Sequence, residues 1–132
     1  MLVLDTNVLV RLFAGDDREQ MRRAVRLIEE AGKRAEPLLV PDLVFAETLW
    51  VLGSAKRLAK AQTVKAAEAL LGDSRFVFEH RERLIVAVGL FAEQPVDFTE
   101  AFAAATALEL GANGVVSFDH DLQHLPVRWV EP

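Results

Sequence analysis

The feature that most constrains the fold is an alternation of short apolar runs with longer amphipathic segments. Such an alternation predicts a parallel sheet with helices on both faces, because parallel strands need helical crossovers between them. The runs that predict strands are Met1 to Leu4, Leu38 to Val40, Phe76 to Phe78, Val115 to Phe118 and Arg128 to Val130, and the first is expected to be a buried parallel strand. The segments that predict helices are Asn7 to Phe13, Arg18 to Ala31, Pro41 to Leu52, Lys60 to Leu71, Arg81 to Ala92 and Phe98 to Leu110.

Length and composition predict one compact domain over residues 1–132, with ample apolar content for a core. No apolar stretch reaches the roughly 20 residues that cross a bilayer. Asp5 and Asn7 interrupt the first apolar run, which argues against a secretory leader, so we expect a cytoplasmic protein with no membrane partner. The absence of cysteine excludes disulfides and thiolate metal sites. A net charge of −5 means that binding to nucleic acid would require locally concentrated cations and neutralisation by metal.

Four acidic residues lie either directly after predicted strands or within predicted helices. Asp5 ends the first strand and Asp119 follows the fourth, so we expect both at one edge of the sheet, where function concentrates in such folds. Glu47 lies in an apolar helix, and Glu100 lies in the first turn of another. Four carboxylates cannot ionise together at close range without a cation, and an all-oxygen cluster suits Mg²⁺ or Mn²⁺.

Each of these acids also has a purely structural interpretation. Asp5 could cap the first helix. Asp97 and Glu100 fit a capping box, with Asp97 at the N-cap and Glu100 three residues later. Asp119 to Asp121 could form a polar turn. Glu47 is the hardest to explain structurally, because its helix is apolar nearly all round.

Four segments resemble, in order, the motifs of PIN-domain ribonucleases. They are Leu4 to Leu9, Val44 to Glu47, Asp97 to Ala107 and Val116 to Leu122. This resemblance implies a three-layer α/β/α sandwich with a central parallel sheet, a bound Mg²⁺ or Mn²⁺, and hydrolysis of RNA phosphodiester bonds.

The resemblance also assigns roles to particular residues. Asp5, Glu47 and Asp119 match the core acids of the family, and Glu100 stands where the family usually has Asp. The resemblance therefore implies catalytic roles for all four, with Asp5, Glu100 and Asp119 binding metal. Asp97 is a second candidate for the third acid, since residues three apart share a helix face, and Asp97 and Glu47 are further candidate ligands.

Other residues are secondary candidates. Thr6 or Ser117 could hydrogen-bond a carboxylate, a phosphate or a water, although a backbone contact is the simpler expectation for Ser117. Asn7 is expected to tie loops near the site, and Asp121 lies beside Asp119. RNA-binding residues are not identified by the sequence. A weak candidate is a basic stripe on the second helix, formed by Arg18, Arg22 and Arg26, which would otherwise be a solvated face.

Within the PIN family, the chain resembles the VapC toxins of toxin–antitoxin pairs. That implies a homodimer and a small VapB-like antitoxin whose tail occupies a hydrophobic groove. The alternatives are a housekeeping PIN nuclease in RNA maturation and a non-catalytic α/β interaction module. The default expectation for Phe45, Leu49, Trp50 and Leu52 is burial in the core, and the alternative is that they cover a dimer or antitoxin groove. His80 is expected to be an ordinary surface residue.

Overall fold

The computed structural model describes all residues from 1 to 132 and divides them into two compact units, Met1–Arg81 and Glu82–Pro132. Every strand pairs in parallel with its neighbour. The predicted α/β class with parallel strands is therefore confirmed. No helix is long and apolar enough to span a bilayer. The expectation of a single domain over the whole chain stays a prediction.

The first unit is built on a three-stranded sheet in the order β1-β2-β3. Leu2 pairs with Leu38 and Leu38 with Phe76, so the three strands end at the same edge of this sheet. The elements are β1 (Leu2–Val3), α1 (Thr6–Ala14), α2 (Arg18–Lys33), β2 (Leu38–Val40), α3 (Asp42–Gly53), α4 (Lys60–Gly72) and β3 (Phe76–Phe78).

The second unit contains two helices and a two-stranded parallel sheet. Its elements are α5 (Arg81–Glu93, whose first residue ends the first unit), α6 (Phe98–Leu110), β4 (Val115–Val116), a 3₁₀ turn (His120–His124) and β5 (Trp129–Val130). Gly111 ends α6 in the left-handed conformation, with φ of 64°, which a glycine adopts without steric cost. This turn reverses the chain toward β4, and therefore positions Asp119 after that strand.

Buried apolar side chains fill both units. In the first, Leu9, Leu38 and Phe45 are fully enclosed, and Phe45 meets the Phe78 ring edge-on at 6.1 Å. In the second, the small residues Ala101 and Ala104 on α6 pack with Leu122 and Leu125 of the 3₁₀ turn segment. Alanine on this face of α6 lets the turn that follows Asp119 approach the helix closely.

Three expectations are corrected. The first strand is parallel but not buried, since Val3 is 63% exposed; β1 is an edge strand with a neighbour on one side only. The strands that precede Asp5 and Asp119 belong to two separate sheets rather than one. Trp50 is 68% exposed, whereas Phe45, Leu49 and Leu52 are buried as predicted. Trp50 lies on a face of α3 that no other element covers.

Candidate active site

Asp5 occupies the junction between β1 and α1. It is the N-cap residue of α1, with an extended backbone (φ −100°, ψ 159°), yet its side chain makes no capping hydrogen bond. The carboxylate is exposed at the carboxyl edge of the three-stranded sheet. Because helix capping does not occupy this carboxylate, its oxygens remain available to a ligand.

Glu47 is held by a neighbour of Asp5. The Thr6 hydroxyl donates to Glu47 Oε2 at 2.8 Å, and Thr6 is itself only 7% exposed. This contact joins the start of α1 to the middle of α3, and a carboxylate is one of the three kinds of partner expected for Thr6. A single hydroxyl thus fixes one oxygen of Glu47 and leaves the other free, since Glu47 is otherwise solvent-exposed.

Glu100 and Asp97 form the capping box predicted at the start of α6. Asp97 Oδ1 accepts from the Glu100 backbone N–H at 2.8 Å, and Glu100 Oε2 accepts from the Asp97 N–H at 2.9 Å. The reciprocal bonds satisfy two backbone donors that the helix leaves unpaired. They also fix the Glu100 side chain, so the structural interpretation of this pair is correct and is compatible with a second role for Glu100.

Asp119 and Asp121 form a compact turn after β4. Asp119 Oδ1 accepts from the Asp121 N–H at 2.9 Å, and Ser117 Oγ accepts from the Asp119 N–H at 2.9 Å. Ser117 therefore makes the backbone contact expected of it. The polar turn expected at Asp119 to Asp121 is therefore present, and it brings both carboxylates close to Glu100 of α6.

Glu100, Asp119 and Asp121 together form a carboxylate cluster in the second unit. Each offers an oxygen, and these oxygens lie within 4.8 Å of one another. Burial, followed by the nearby charges and hydrogen bonding of Asp119, raises the pKa of Glu100 to about 7. The pKa of Asp119 is lowered, chiefly by the Asp121 backbone N–H and then by Glu100. Glu100 is therefore protonated in a substantial fraction of molecules near neutral pH, whereas Asp119 is ionised.

This donor set fits a hard divalent cation. Carboxylate oxygens are the ligands that Mg²⁺ and Mn²⁺ prefer. Burial is the main cause of the raised pKa of Glu100, and the charges of Asp97 and Asp119 add to it, so a bound cation would favour the ionised form. Asp97 is not part of the cluster, because its carboxylate caps α6.

The remaining candidates are dispersed. Asn7 is exposed on α1. Arg18, Arg22 and Arg26 are all exposed on α2, and Arg22 pairs with Glu19 at 2.9 Å, as a solvated face would. The structure thus brings together Thr6 with Glu47 in the first unit, and Glu100 with Asp119 and Asp121 in the second.

Sequence reasoning did not predict a set of contacts among Asp42, Glu79 and His80. His80 is exposed, but its Nδ1 lies 2.5 Å from Asp42 Oδ2, and the Asp42 N–H donates to Glu79 Oε1. These residues follow β2 and β3, at the same sheet edge as Asp5. The signal was present in the sequence: the polar residues that follow two neighbouring strands meet at one edge.

Comparison with known proteins places this chain in a family. The PIN domain family model matches residues 2–127, so the chain belongs to the PIN domain family. Among curated proteins, the chain is similar to a VapC ribonuclease of Aquifex aeolicus (strain VF5). The two are 26% identical over 132 residues, which cover 100% of this chain and 97% of the relative.

Proposed function

We propose that this protein is an Mg²⁺- or Mn²⁺-dependent endoribonuclease. The observation that carries the proposal is the carboxylate cluster of Glu100, Asp119 and Asp121, whose oxygens lie within 4.8 Å of one another. Membership of the PIN family and similarity to a VapC ribonuclease support RNA as the substrate.

The proposed catalytic acids are Asp5, Glu47, Glu100 and Asp119. Asp5, Glu100 and Asp119 are the proposed metal ligands, with Glu47 and Asp97 as further candidates. A bound divalent ion would lower the pKa of a water molecule and neutralise charge on the phosphate. Asp121 adds a carboxylate oxygen beside Asp119.

The protein's own groups prepare these acids. Thr6 holds one oxygen of Glu47 and orients the other. The backbone of Asp97 does the same for Glu100, and the backbone of Asp121 does so for Asp119. Preorganised carboxylates bind a cation, and orient water, with little further loss of side-chain freedom. Asn7 and Ser117 are proposed to support the loops that carry Asp5 and Asp119.

We further propose that the protein is the toxin of a toxin–antitoxin pair, acting in the cytoplasm as a homodimer that a small VapB-like antitoxin inhibits. The name of the Aquifex relative, and a match that covers 100% of this chain and 97% of the relative, support this choice over a housekeeping nuclease. A short neighbouring reading frame that encodes a DNA-binding antitoxin would distinguish the two. The three carboxylate oxygens within 4.8 Å of one another favour a metal-dependent nuclease over a non-catalytic interaction module.

The decisive experiment uses the purified chain without any partner. It is incubated with single-stranded and structured RNAs and Mg²⁺ or Mn²⁺, beside samples with EDTA and the Asp5→Asn variant. Glu30→Gln, an exposed charge neutralisation on α2, is the matched control. Cleavage should be lost with EDTA and Asp5→Asn and kept in the control. Folded protein that neither cleaves RNA nor binds either ion at millimolar concentration would favour the interaction module.

A further inference from the structure

The first unit contains a cleft that the proposed catalytic acids do not use. It has a volume of about 600 Å³ and lies between the end of α1 and the start of α4. Its floor is formed by Phe13, Ala14, Leu58 and the buried Ala66, and its rim by Arg57, Gln62 and Lys65. We call these seven residues the α1–α4 cleft.

The cations of the cleft rim have no counter-ion. Arg57 and Lys65 are exposed and make no ion pair, whereas Lys56, directly before Arg57, is bound to Asp16 at 2.5 Å. Asp16 is shared with Arg11, and these two cations hold its pKa below the usual value. The local acid is therefore already neutralised. Arg57 and Lys65 leave an uncompensated positive rim on a chain whose net charge is −5.

We propose that the α1–α4 cleft binds the phosphodiester backbone of single-stranded RNA through Arg57 and Lys65. The inference rests on the proposed function and supplies the local positive charge that an acidic RNA-binding protein requires. The Gln62 side-chain oxygen accepts from the Ala59 N–H, which leaves its amide group to donate to a phosphate or a base. The rim thus offers donors alone to an anionic strand.

The position of the cleft suits a strand that also reaches the acids of the first unit. Thr6, bonded to Glu47, begins α1, and Phe13 and Ala14 line the cleft at its other end. Thr6 and Ala14 are separated by roughly 12 Å along the helix. A short run of nucleotides can span this distance, so the cleft would hold phosphates beyond the bond that is cut.

An acidic protein segment is the competing occupant, and the surface favours RNA. A stable protein interface buries about 800 Å² on each partner and is anchored by exposed apolar side chains. None of the large exposed hydrophobic residues lines this cleft, because Phe13 and Leu58 are both half-buried. Attraction must therefore come mainly from charge, which a phosphodiester backbone supplies at every nucleotide.

The test measures binding without cleavage. A fluorescent oligouridylate is titrated into metal-free protein, and anisotropy gives its affinity over a range of salt concentrations. The Arg57→Gln, Lys65→Gln double variant should bind roughly tenfold more weakly. Its slope of log affinity against log salt should be shallower by about 1.4, which is about 0.7 for each lost phosphate contact. The matched control neutralises Arg23 and Lys33, which are exposed on α2 and unpaired.

The outcomes separate this inference from the proposed function. Equal affinities and slopes for the double variant and the control would overturn the RNA cleft, even if the wild type cleaves RNA. A selective loss of RNA binding would support the cleft even if no cleavage were found. Displacement of the oligouridylate by a polyglutamate peptide at lower concentration than by unlabelled RNA would assign the cleft to an acidic protein and also overturn the inference.

Discussion

At the scale of single residues, Thr6 makes the most specific contact of the first unit, because its hydroxyl is the one group shown to orient Glu47. Thr6→Val keeps the shape of this buried side chain but removes the donor. RNA cleavage should fall roughly tenfold or more through kcat, as when a group that orients a metal ligand is lost. The free energy of unfolding should fall by only about 1 kcal/mol.

Two further variants test that explanation for Thr6. Thr6→Ser retains the hydroxyl and should keep most of the activity. Thr106→Val removes a comparable hydrogen bond, to the Phe102 carbonyl, and should cost stability without lowering kcat. Equal kcat for Thr6→Val and the wild type would show that Glu47 needs no support from Thr6.

Glu100 makes stability depend on pH. Its pKa is about 7 in the folded protein and near 4.5 when unperturbed, so the folded state binds the proton more tightly. The resulting stability is fully present below about pH 4.5 and is lost as pH rises through about 7. In EDTA, the free energy of unfolding from urea titrations should fall over this range by on the order of 2 kcal/mol.

The Glu100→Gln variant provides the comparison for that pH effect. Glutamine cannot ionise and retains an oxygen for the Asp97 N–H, so the variant should lose most of the decline between pH 4.5 and 7. Asp119 does not contribute in this range, because its lowered pKa confines its effect to more acidic solutions. A wild-type protein with constant stability across the range would contradict the raised pKa of Glu100.

At the scale of elements, the start of α6 combines a structural role with a proposed chemical one. Asp97→Ala removes the N-cap acceptor and should lower the free energy of unfolding by about 1 kcal/mol. Asp97→Asn keeps a good N-cap and should be nearly neutral. If Asp97 acts only as a cap, Asp97→Asn should bind Mn²⁺ like the wild type, whereas Glu100→Gln should bind it more weakly. Equal losses in calorimetric titrations would restore Asp97 as a ligand.

The helices could be predicted to within about two residues, because their start and stop signals are local. Asp97 begins α6 and Gly111 ends it, as sequence rules require. Exposure could not be predicted in the same way. Trp50 and Val3 are apolar, yet both face solvent, since burial depends on which elements pack beside them. Apolar periodicity identifies an element but does not specify its neighbours.

The candidate site also combines features that local sequence predicts with features that depend on how elements pack. That Asp5 and Asp119 each follow a parallel strand could be predicted from local sequence, but a single common sheet could not, because the two strands belong to separate sheets. The place of Asp121 in the carboxylate cluster could not be predicted, because it depends on a 3₁₀ turn that brings Asp121 within reach of Glu100. The hydrogen bond from Thr6 to Glu47 joins residues 41 positions apart and was anticipated only as one of several options.

At the scale of the whole molecule, metal binding should be coupled to proton release. An ion at the carboxylate cluster requires ionised Glu100, whereas Asp119 is already ionised because its pKa is lowered. Mg²⁺ should therefore displace close to one proton at about pH 6 and almost none at about pH 8. Titration calorimetry in two buffers of different ionisation enthalpy counts these protons directly and requires no RNA substrate.

The same coupling predicts how Mg²⁺ stabilises the fold. A ligand that binds only the folded state raises the midpoint of thermal unfolding according to its affinity, and that affinity should increase as Glu100 loses its proton. The rise in midpoint at a fixed Mg²⁺ concentration should therefore be larger at about pH 8 than at about pH 6. In Glu100→Gln it should be smaller and should not change over this range, since no proton is displaced. An equal rise at both values in the wild type would mean that the ion binds without Glu100, and would move the proposed metal site away from this cluster.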